Sequence, residues 1–487
     1  MPGLPNDANL EHLRGQARDL QRAVRAGDVH ARELLATHHP APPADLDSLP
    51  LSAAQLAVAR GYGFASWPKL RHFLDDAATL TRDPTVDPDP SLDGAGDLAD
   101  QFCRLACLVY SEVDDPARWA RANVLLQQHP ELVRSSVAAA AAAADVDAIR
   151  SLLAADPDAA NRPTGPHRWA PLLYLSYSRA LAGTEPAGRF LATAQELISA
   201  GADVNAGYLW RGLPSPFTVL TGVFGEGEQG AGKQPRHPQS IPLARLLLTN
   251  GADPNDGQAL YNRMFRPDNS HLELLFDFGL GRGDGGPWRR RLGDAMESPA
   301  QMLARQVGWA IDHGFVDRLA LLIEHGVDVA APLADGRTPL DHAIAGGRLP
   351  ILELLRSTGV DVPPMSAEQQ VIAALLAPDP ARGVATWDPA VLAAVRSNHP
   401  DLVHRADSAA AIELLAQLGF DLNAGRGGVT ALHDAAFRGD VELIGALLAG
   451  GADPTRRDAE HQATPLAWAQ YACQPEAIEL LTGVTPD

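Results

Sequence analysis

A stretch near the end of the chain decides the fold: Thr430-Ala-Leu-His-Asp-Ala-Ala-Phe-Arg-Gly439. It is followed by the pair Leu447–Leu448 and by the run Gly451-Ala-Asp-Pro454. Similar stretches begin at Thr338 and Thr464, each time with Thr-Pro-Leu, and the pattern recurs at a step of about 33 residues. A self-similar pattern with this period predicts an array of stacked repeats.

The chemistry of one unit predicts two short helices. Thr338 before Pro339 fits an N-cap and a first helical position, because threonine accepts a helix N–H group while proline has none to leave unpaired. Small residues such as Ala435 and Ala436 let the first helix lie close to its neighbours, and Gly439 permits the backbone conformation that ends it. No unit buries its apolar face alone. The predicted fold class is therefore all-α, a solenoid stabilised by contacts between neighbouring units.

These residues resemble the ankyrin repeat, whose unit is a turn followed by two short helices. Earlier copies keep the ending of the unit, Gly-Ala-Asp-Val-Asn at 201–205 and Gly-Ala-Asp-Pro-Asn at 251–255. The resemblance implies an ankyrin-repeat solenoid whose concave groove binds a protein or peptide. Lysine occurs only at positions 69 and 233 in an otherwise arginine-based chain, which indicates a bacterial source.

Breaks in the pattern divide the 487 residues into five parts. Residues 1–80 are predicted to form an N-terminal helical module outside the repeats. The Asp-Pro-rich residues 81–97 predict a linker. An ankyrin-repeat array with insertions is expected at 98–364, an irregular helical segment or hinge at 365–407, and C-terminal ankyrin repeats at 408–487.

Alignment of the units places further starts at Ala170, Thr218, Gln258 and Arg305. Insertions of roughly 10 to 14 residues interrupt several of these units. Because insertions at equivalent points map to one edge of a solenoid, they often build a binding surface.

The charge and hydropathy of the chain limit its partners and its location. A formal net charge of −20 argues against nucleic acid, which requires a cationic stripe, and favours a partner that is basic or neutral. The sequence has no apolar signal segment and no apolar run of about 18 residues. We therefore expect a cytoplasmic protein without a membrane segment.

Neither a metal nor a cofactor is expected. Cys103 and Cys107 lie four residues apart on a predicted helix, a spacing that fits two metal ligands but is more typical of core filling. Residues 227–233 have the spacing of a phosphate-binding loop up to Lys233, but Gln234 stands where that motif requires Ser or Thr. The motif therefore does not indicate nucleotide binding.

Aromatic and arginine side chains dominate binding energy at interfaces. We therefore place the binding site on side chains that the repeat alignment puts on the concave face; an alternative for Trp309 and Trp468 is that they fill gaps between repeats. The predicted binding residues are Tyr174, Tyr177, Asn262, Arg263, Trp309, His342, Asp434, Arg438, Trp468 and Tyr471.

The unit at Gln258 departs most from the ankyrin pattern. Asn262 and Arg263 replace small residues there, whereas the unit before it carries Gly222 at the equivalent place. This contrast has two interpretations, a local kink between two parts of the array and a recess for a small-molecule ligand near Gly222 and Arg263.

Catalysis is the alternative to a scaffold. An acid–base pair could form among Asp312, His313 and His342 if these side chains lie close together. The insertions could contribute two further groups, His237 and Asp256. No nucleophile elbow, paired metal-ligand motif or dinucleotide fingerprint accompanies them. The sequence therefore favours a non-catalytic scaffold that binds a protein or peptide, and the enzyme remains the second hypothesis.

Overall fold

A computed structural model describes residues 9–85, 97–181, 188–377 and 387–484. The fold is an all-α repeat solenoid with a few short strands, as the sequence predicted. Four helices and one strand precede the repeats, and their bounds are α1 Leu10–Arg25, α2 Val29–His38, α3 Leu51–Gly61, α4 Trp67–Leu80 and β1 Thr81–Arg82.

The first group of repeats follows as helices that pair along the chain. A two-stranded hairpin and two short helices lie within its insertions. The elements are α5 Leu98–Ala106, α6 Pro116–Gln128, α7 Val137–Ala142, α8 Val146–Ala155, α9 Pro171–Tyr177, α10 Arg189–Ser199, β2 Gly207–Trp210, β3 Pro216–Thr218, α11 Val219–Phe224, α12 Gly230–Lys233, α13 Ser240–Thr249, α14 Gly257–Arg263, α15 Ser270–Asp277, α16 Gly286–Leu292, α17 Pro299–Asp312, α18 Val316–Glu324, α19 Pro339–Gly346 and α20 Leu349–Ser357.

The second group continues the stack to the end of the described residues. Its elements are α21 Ala367–Leu375, α22 Pro389–Asn398, α23 Leu402–Arg405, α24 Ala409–Gln417, β4 Gly425–Arg426, β5 Val429–Thr430, α25 Ala431–Arg438, α26 Val441–Ala449, α27 Pro465–Tyr471 and α28 Pro475–Thr482.

Helix starts follow the capping chemistry read from the sequence at most units. The start expected at Gln258 lies two residues after the observed N-cap, Asp256. The first helix of four units begins directly after an N-cap threonine. These threonines are Thr218, Thr338, Thr430 and Thr464. The start expected at Arg305 is wrong: α17 begins six residues earlier, at Pro299, directly after its N-cap Ser298. There Ser298 and Gln301 form a capping box, a stronger start signal than the alignment.

The buried apolar residues of the repeats form two separate cores. One runs continuously from Ala99 to Leu355 and the other from Val371 to Leu481. The predicted irregular segment 365–407 belongs to the second core through residues such as Val395 and Leu402, both fully buried. Its Pro-Asp-Pro part at 378–380 lies outside the described residues.

The first residues of the predicted linker form the strand β1. Strand β1 pairs in parallel with β2, which pairs antiparallel with β3. Residues 86–96 of the linker lie outside the described residues, and Asp97 caps α5. In addition, Phe73 of α4 shares a core with Leu209 of β2 and Leu292 of α16. The N-terminal module therefore packs directly on the insertions of the repeats.

An insertion joins the two ends of the repeat stack. We name residues 225–239, between α11 and α13, the bridging insertion. Its Lys233 donates a hydrogen bond to the Glu112 carbonyl near the start of the stack, with N to O at 2.6 Å. The same ammonium group lies 3.9 Å from the ring centre of Tyr471 in α27, one of the last helices. The bridging insertion therefore connects the beginning of the stack with its end.

Candidate functional site

A row of aromatic rings connects two neighbouring units of the first core. Tyr261 lies on α14 and Phe265 just after it. Trp309 lies on α17, and His313 is the C-cap residue of that helix. Ring centroids are 5.3 Å apart between Tyr261 and Phe265, 5.1 Å between Phe265 and Trp309, and 3.9 Å between Trp309 and His313. None of the four is buried. We name this continuous surface the aromatic ridge.

Carboxylates flank the aromatic ridge at both ends. At one end the Glu228 carboxylate accepts a hydrogen bond from the Tyr261 hydroxyl. At the other end the His342 ring contacts two exposed carboxylates, Asp312 at 3.0 Å and Asp335 at 2.9 Å. The predicted pair of Asp312 and His342 therefore exists, and it lies at the edge of an aromatic and acidic surface.

The remaining catalytic candidates do not join this pair. His237 is buried, with its ring 4.4 Å from that of Phe190, and burial lowers its pKa well below the usual range. Asp256 is also buried; it caps α14 and accepts hydrogen bonds from the hydroxyls of Thr218 and Thr221. The expectation that these two residues complete an acid–base site is wrong, because each is enclosed by partners from its own and adjacent units.

His313 is accessible but electrically neutral near pH 7. Its ring stacks on Trp309 at an interplanar angle of 15°. Desolvation by this environment lowers the pKa of His313 below its ordinary value of 6.5. The geometry suits an aromatic contact surface better than proton transfer.

Two predicted binding residues lie in the interior instead. The Tyr174 hydroxyl donates to the Thr164 carbonyl, and the Tyr177 hydroxyl donates to the Thr218 carbonyl at 2.9 Å. Both side chains are fully buried. Their assignment to the groove surface is wrong, because the β2–β3 hairpin covers this part of the stack and Tyr208 packs against Tyr177.

The predicted recess at Gly222 is also filled. A Cβ atom at this position would lie 2.2 Å from the Tyr177 ring, so glycine is required for the ring to fit. Arg263 is buried too, and it pairs with Glu226 at 3.0 Å and with Asp268 at 2.5 Å. The expected small-molecule site between Gly222 and Arg263 is therefore absent from the described residues.

Asn262 differs from its neighbour because it borders an open cavity of about 430 Å³. The cavity lies next to Tyr261 of the aromatic ridge, and we name it the aromatic cavity. Its walls come from α14, the β2–β3 hairpin, the bridging insertion and residues 295–305. Representative lining residues are Tyr110, Trp210, Phe217, Tyr261, Asn262 and Met302.

The C-terminal candidates are partly engaged with other groups. Asp434 pairs with His404 at 2.8 Å, and Trp468 donates its indole N–H to Asp458 at 3.0 Å. Tyr471 is covered on one face by Lys233. Arg438 is exposed on α25, and its positive charge contributes to the lowered pKa of His313.

Sequence reasoning missed Tyr261, Phe265, Tyr110 and Trp210. A signal for the first two was present, because aromatic residues four apart share one side of a helical turn, as Trp309 and His313 do. Tyr110 and Trp210 could not be found in this way. They reach the aromatic cavity from α5–α6 and from the hairpin, through contacts between residues far apart in sequence.

Two stretches of the chain match family models. Residues 309–356 match the model described as ankyrin repeats (many copies), and residues 427–459 match the model described as ankyrin repeat. These matches support an ankyrin-repeat protein. One ankyrin match covers Trp309 and His313 of the aromatic ridge, and the other covers Asp434 and Arg438. Ankyrin repeats suggest a scaffold for protein interaction.

A search of the curated proteins found none that matches the chain. Across the described ranges, no helix has both the length and the apolar character needed to cross a membrane. Within the same ranges, no group of three or more His, Cys, Asp or Glu side chains is arranged to hold a metal ion. Cys103 and Cys107 are fully buried, and burial raises the pKa of both thiols, to about 12 for Cys107.

Proposed function

We propose that this protein is a non-catalytic scaffold that binds a basic peptide segment of a partner protein along the aromatic ridge. The observation that carries the proposal is the ridge itself, four rings in continuous contact across two neighbouring units, three of them partly exposed and His313 exposed. Large aromatic side chains provide most of the energy at interfaces, and a soluble protein rarely leaves such a group uncovered without a use for it. The proposal keeps the cytoplasmic location and bacterial source expected from the sequence.

The charge around the aromatic ridge favours a basic segment. The carboxylates of Glu228, Asp312 and Asp335 lie at its ends, and the whole chain has a formal charge of −20. Two arginines also lie near the ridge: Arg305 is 5.4 Å from the Tyr261 ring centre, and the charge of Arg438 acts on His313. A basic segment therefore has to contact the carboxylate ends rather than these arginines. Lysine and arginine side chains would pair with these carboxylates, and their cations also bind aromatic ring faces. Long-range attraction between opposite charges would in addition speed the encounter with such a peptide.

The test is selection of peptides from a displayed library of random linear sequences on the full-length protein. Selected peptides are then titrated by fluorescence anisotropy against the native protein, Trp309→Ala and the control Trp67→Ala. Trp67 lies on α4, where it packs on the core of the N-terminal module and takes no part in the ring contacts of the aromatic ridge. We expect lysine- and arginine-rich peptides whose affinity falls about tenfold or more in Trp309→Ala and is unchanged in Trp67→Ala.

Two results would overturn the proposal. One is a library that yields no binding peptide. The other is a set of peptides whose affinity responds equally to both tryptophan substitutions, since the contact would then lie elsewhere. Circular dichroism and thermal melting of each variant separate a lost contact from a lost fold.

A further inference from the structure

A second open cavity lies where the N-terminal module, the repeats and α16 meet. Its volume is about 430 Å³, and it shares no lining residue with the aromatic cavity. Three arginines line it, Arg82 of β1, Arg168 of the turn before α9 and Arg291 of α16. The walls contain one carboxylate, that of Asp203, which accepts a hydrogen bond from the Asn205 backbone N–H at 2.8 Å. We name this space the arginine cavity.

Two of the three guanidinium groups lie close to each other. Nε of Arg82 donates a hydrogen bond to the Arg168 carbonyl at 3.4 Å. The pKa of Arg82 is lowered from its usual value, first by burial and second by the positive charge of Arg168. Like charges repel more strongly where water is partly excluded. An anion that pairs with both groups would remove this repulsion.

All three arginines have donors that the described part of the chain does not use. Nη1 of Arg82 donates to two backbone carbonyls of its own segment, but Nη2 donates to no described residue. The Arg168 side chain is exposed and donates to no described residue either. Arg291 contacts Asp76 through Nε at 3.5 Å, which leaves both of its terminal nitrogens for a ligand.

The charges and the size of the arginine cavity specify the ligand. A phosphate monoester carries a charge of about −1.5 to −2 near pH 7 and has three acceptor oxygens, which guanidinium groups bind in pairs. A carboxylate provides less charge and fewer oxygens. The cavity also has room for the organic group that carries the phosphate. The half-buried Trp288 lines that space, and its indole N–H already donates to the Asn205 carbonyl at 2.8 Å.

We infer that the arginine cavity binds a phosphate monoester, whose phosphate pairs with Arg82, Arg168 and Arg291. The inference goes beyond the proposed function, because the aromatic ridge uses none of these residues. A bound phosphate would connect β1, α16 and the turn before α9, and would therefore stabilise the packing of the N-terminal module on the repeats. Two sources share this chemistry, a free small molecule and a phosphorylated side chain of a partner.

The first experiment titrates the full-length protein with phenyl phosphate by isothermal calorimetry, and with benzoate as an aromatic monoanion. We expect phenyl phosphate to bind about tenfold or more tightly than benzoate. Arg168→Gln and Arg291→Gln should each weaken the binding of phenyl phosphate about tenfold. Arg356→Gln, at an exposed arginine of α20, is the matched control and should leave the affinity unchanged. Thermal melting of each variant checks that the fold is retained.

The second experiment separates the two sources and tests the connection between the module and the repeats. A blocked pentapeptide with one phosphotyrosine between glycines should bind at least as tightly as phenyl phosphate if a partner protein provides the phosphate. Binding of phenyl phosphate without the peptide indicates a free small molecule, and both results support the inference. Amide hydrogen exchange at 67–82 should slow when phenyl phosphate binds. Unchanged exchange would overturn the stabilising role of the ligand.

Three results would overturn the inference as a whole. The first is no binding of phenyl phosphate at millimolar concentration. The second is equal affinity for benzoate and phenyl phosphate, since the site would then not distinguish a phosphate. The third is an equal loss in Arg356→Gln and Arg168→Gln, since the anion would then respond only to the general charge of the protein. None of these results affects the proposed peptide site.

Discussion

A single histidine of α23, His404, connects the turn after α24 to α25. His404 donates from both ring nitrogens, to the Asp434 carboxylate at 2.8 Å and to the Ala424 carbonyl at 3.1 Å. The hydrogen bond to Asp434 is the main reason why the pKa of His404 is raised above 6.5, and Asp401 adds to it against the opposing effect of burial. The positive ring is therefore the form that the folded protein prefers.

This preference predicts a pH-dependent stability. Because the pKa of His404 is higher in the folded state, its stabilisation is complete below pH 6.5 and is lost as the pH rises through the folded-state pKa. His404→Gln keeps a donor for Asp434 but does not titrate. The free energy of unfolding should therefore fall more in this variant at pH about 5.5 than at pH about 8.5. Urea denaturation at both pH values measures the free energy of unfolding of the native protein and of the variant. If the two proteins differ by the same amount at both pH values, the pKa of His404 is not raised by folding.

Residue-scale prediction from sequence succeeded where the interaction is local. Thr338 and Thr464 cap helices because their partners lie three residues ahead, within the same turn. Tyr177 was placed wrongly because its burial depends on Tyr208 of the hairpin and on Gly222 of the next unit. No pattern within one repeat contains that information.

At the scale of elements, the bridging insertion is held by a close approach of two backbones. A Cβ atom on Gly232 would lie 2.3 Å from the Ala472 carbonyl oxygen at the end of α27. The backbone conformation of Gly232 itself is open to other residues, so alanine would be excluded by contact alone. The absence of a side chain is what lets α12 meet α27.

Two glycine-to-alanine substitutions should therefore have opposite effects on the stability of the segments that contain them. Gly232→Ala should push α12 away from α27 and speed amide hydrogen exchange at residues 465–473. Gly445→Ala is the control, since a Cβ there meets nothing within 4 Å inside α26. It should stabilise the protein by about 0.5–1 kcal/mol, because alanine favours helix. Exchange that is unchanged in Gly232→Ala would show that the contact is not maintained in solution.

The repeat pattern of the sequence predicted that insertions exist, but it did not predict where they pack. The sequence predicted that insertions interrupt several units, and two of these insertions contain the short helices α12 and α16. Where they pack was not predictable, because neither carries the repeat signature. One connects the stack ends through Lys233, and the other shares a core with the N-terminal module through Leu292.

At the scale of the whole molecule, the stack closes through contacts of modest strength. Besides Lys233, the Cys473 thiol lies 3.8 Å from the Asp115 carboxylate, between the last and the first parts of the stack. These are polar, partly exposed contacts. The two apolar cores, by contrast, are separate clusters that meet near α19 and α21. Repeat proteins gain stability from nearest neighbours, so each core should unfold largely by itself.

Matched leucine substitutions test this separation. Leu247 of α13 and Leu447 of α26 occupy the same place in the leucine pair of their units, and both are fully buried. Each Leu→Ala change should cost about 2–5 kcal/mol in its own core. We expect Leu447→Ala to split thermal unfolding into two transitions, with faster hydrogen exchange at 387–484 but not at 138–181. Leu247→Ala should show the reverse distribution of exchange. If either substitution instead lowers one shared transition and speeds exchange in both cores, the closing contacts between the stack ends make the molecule a single cooperative unit.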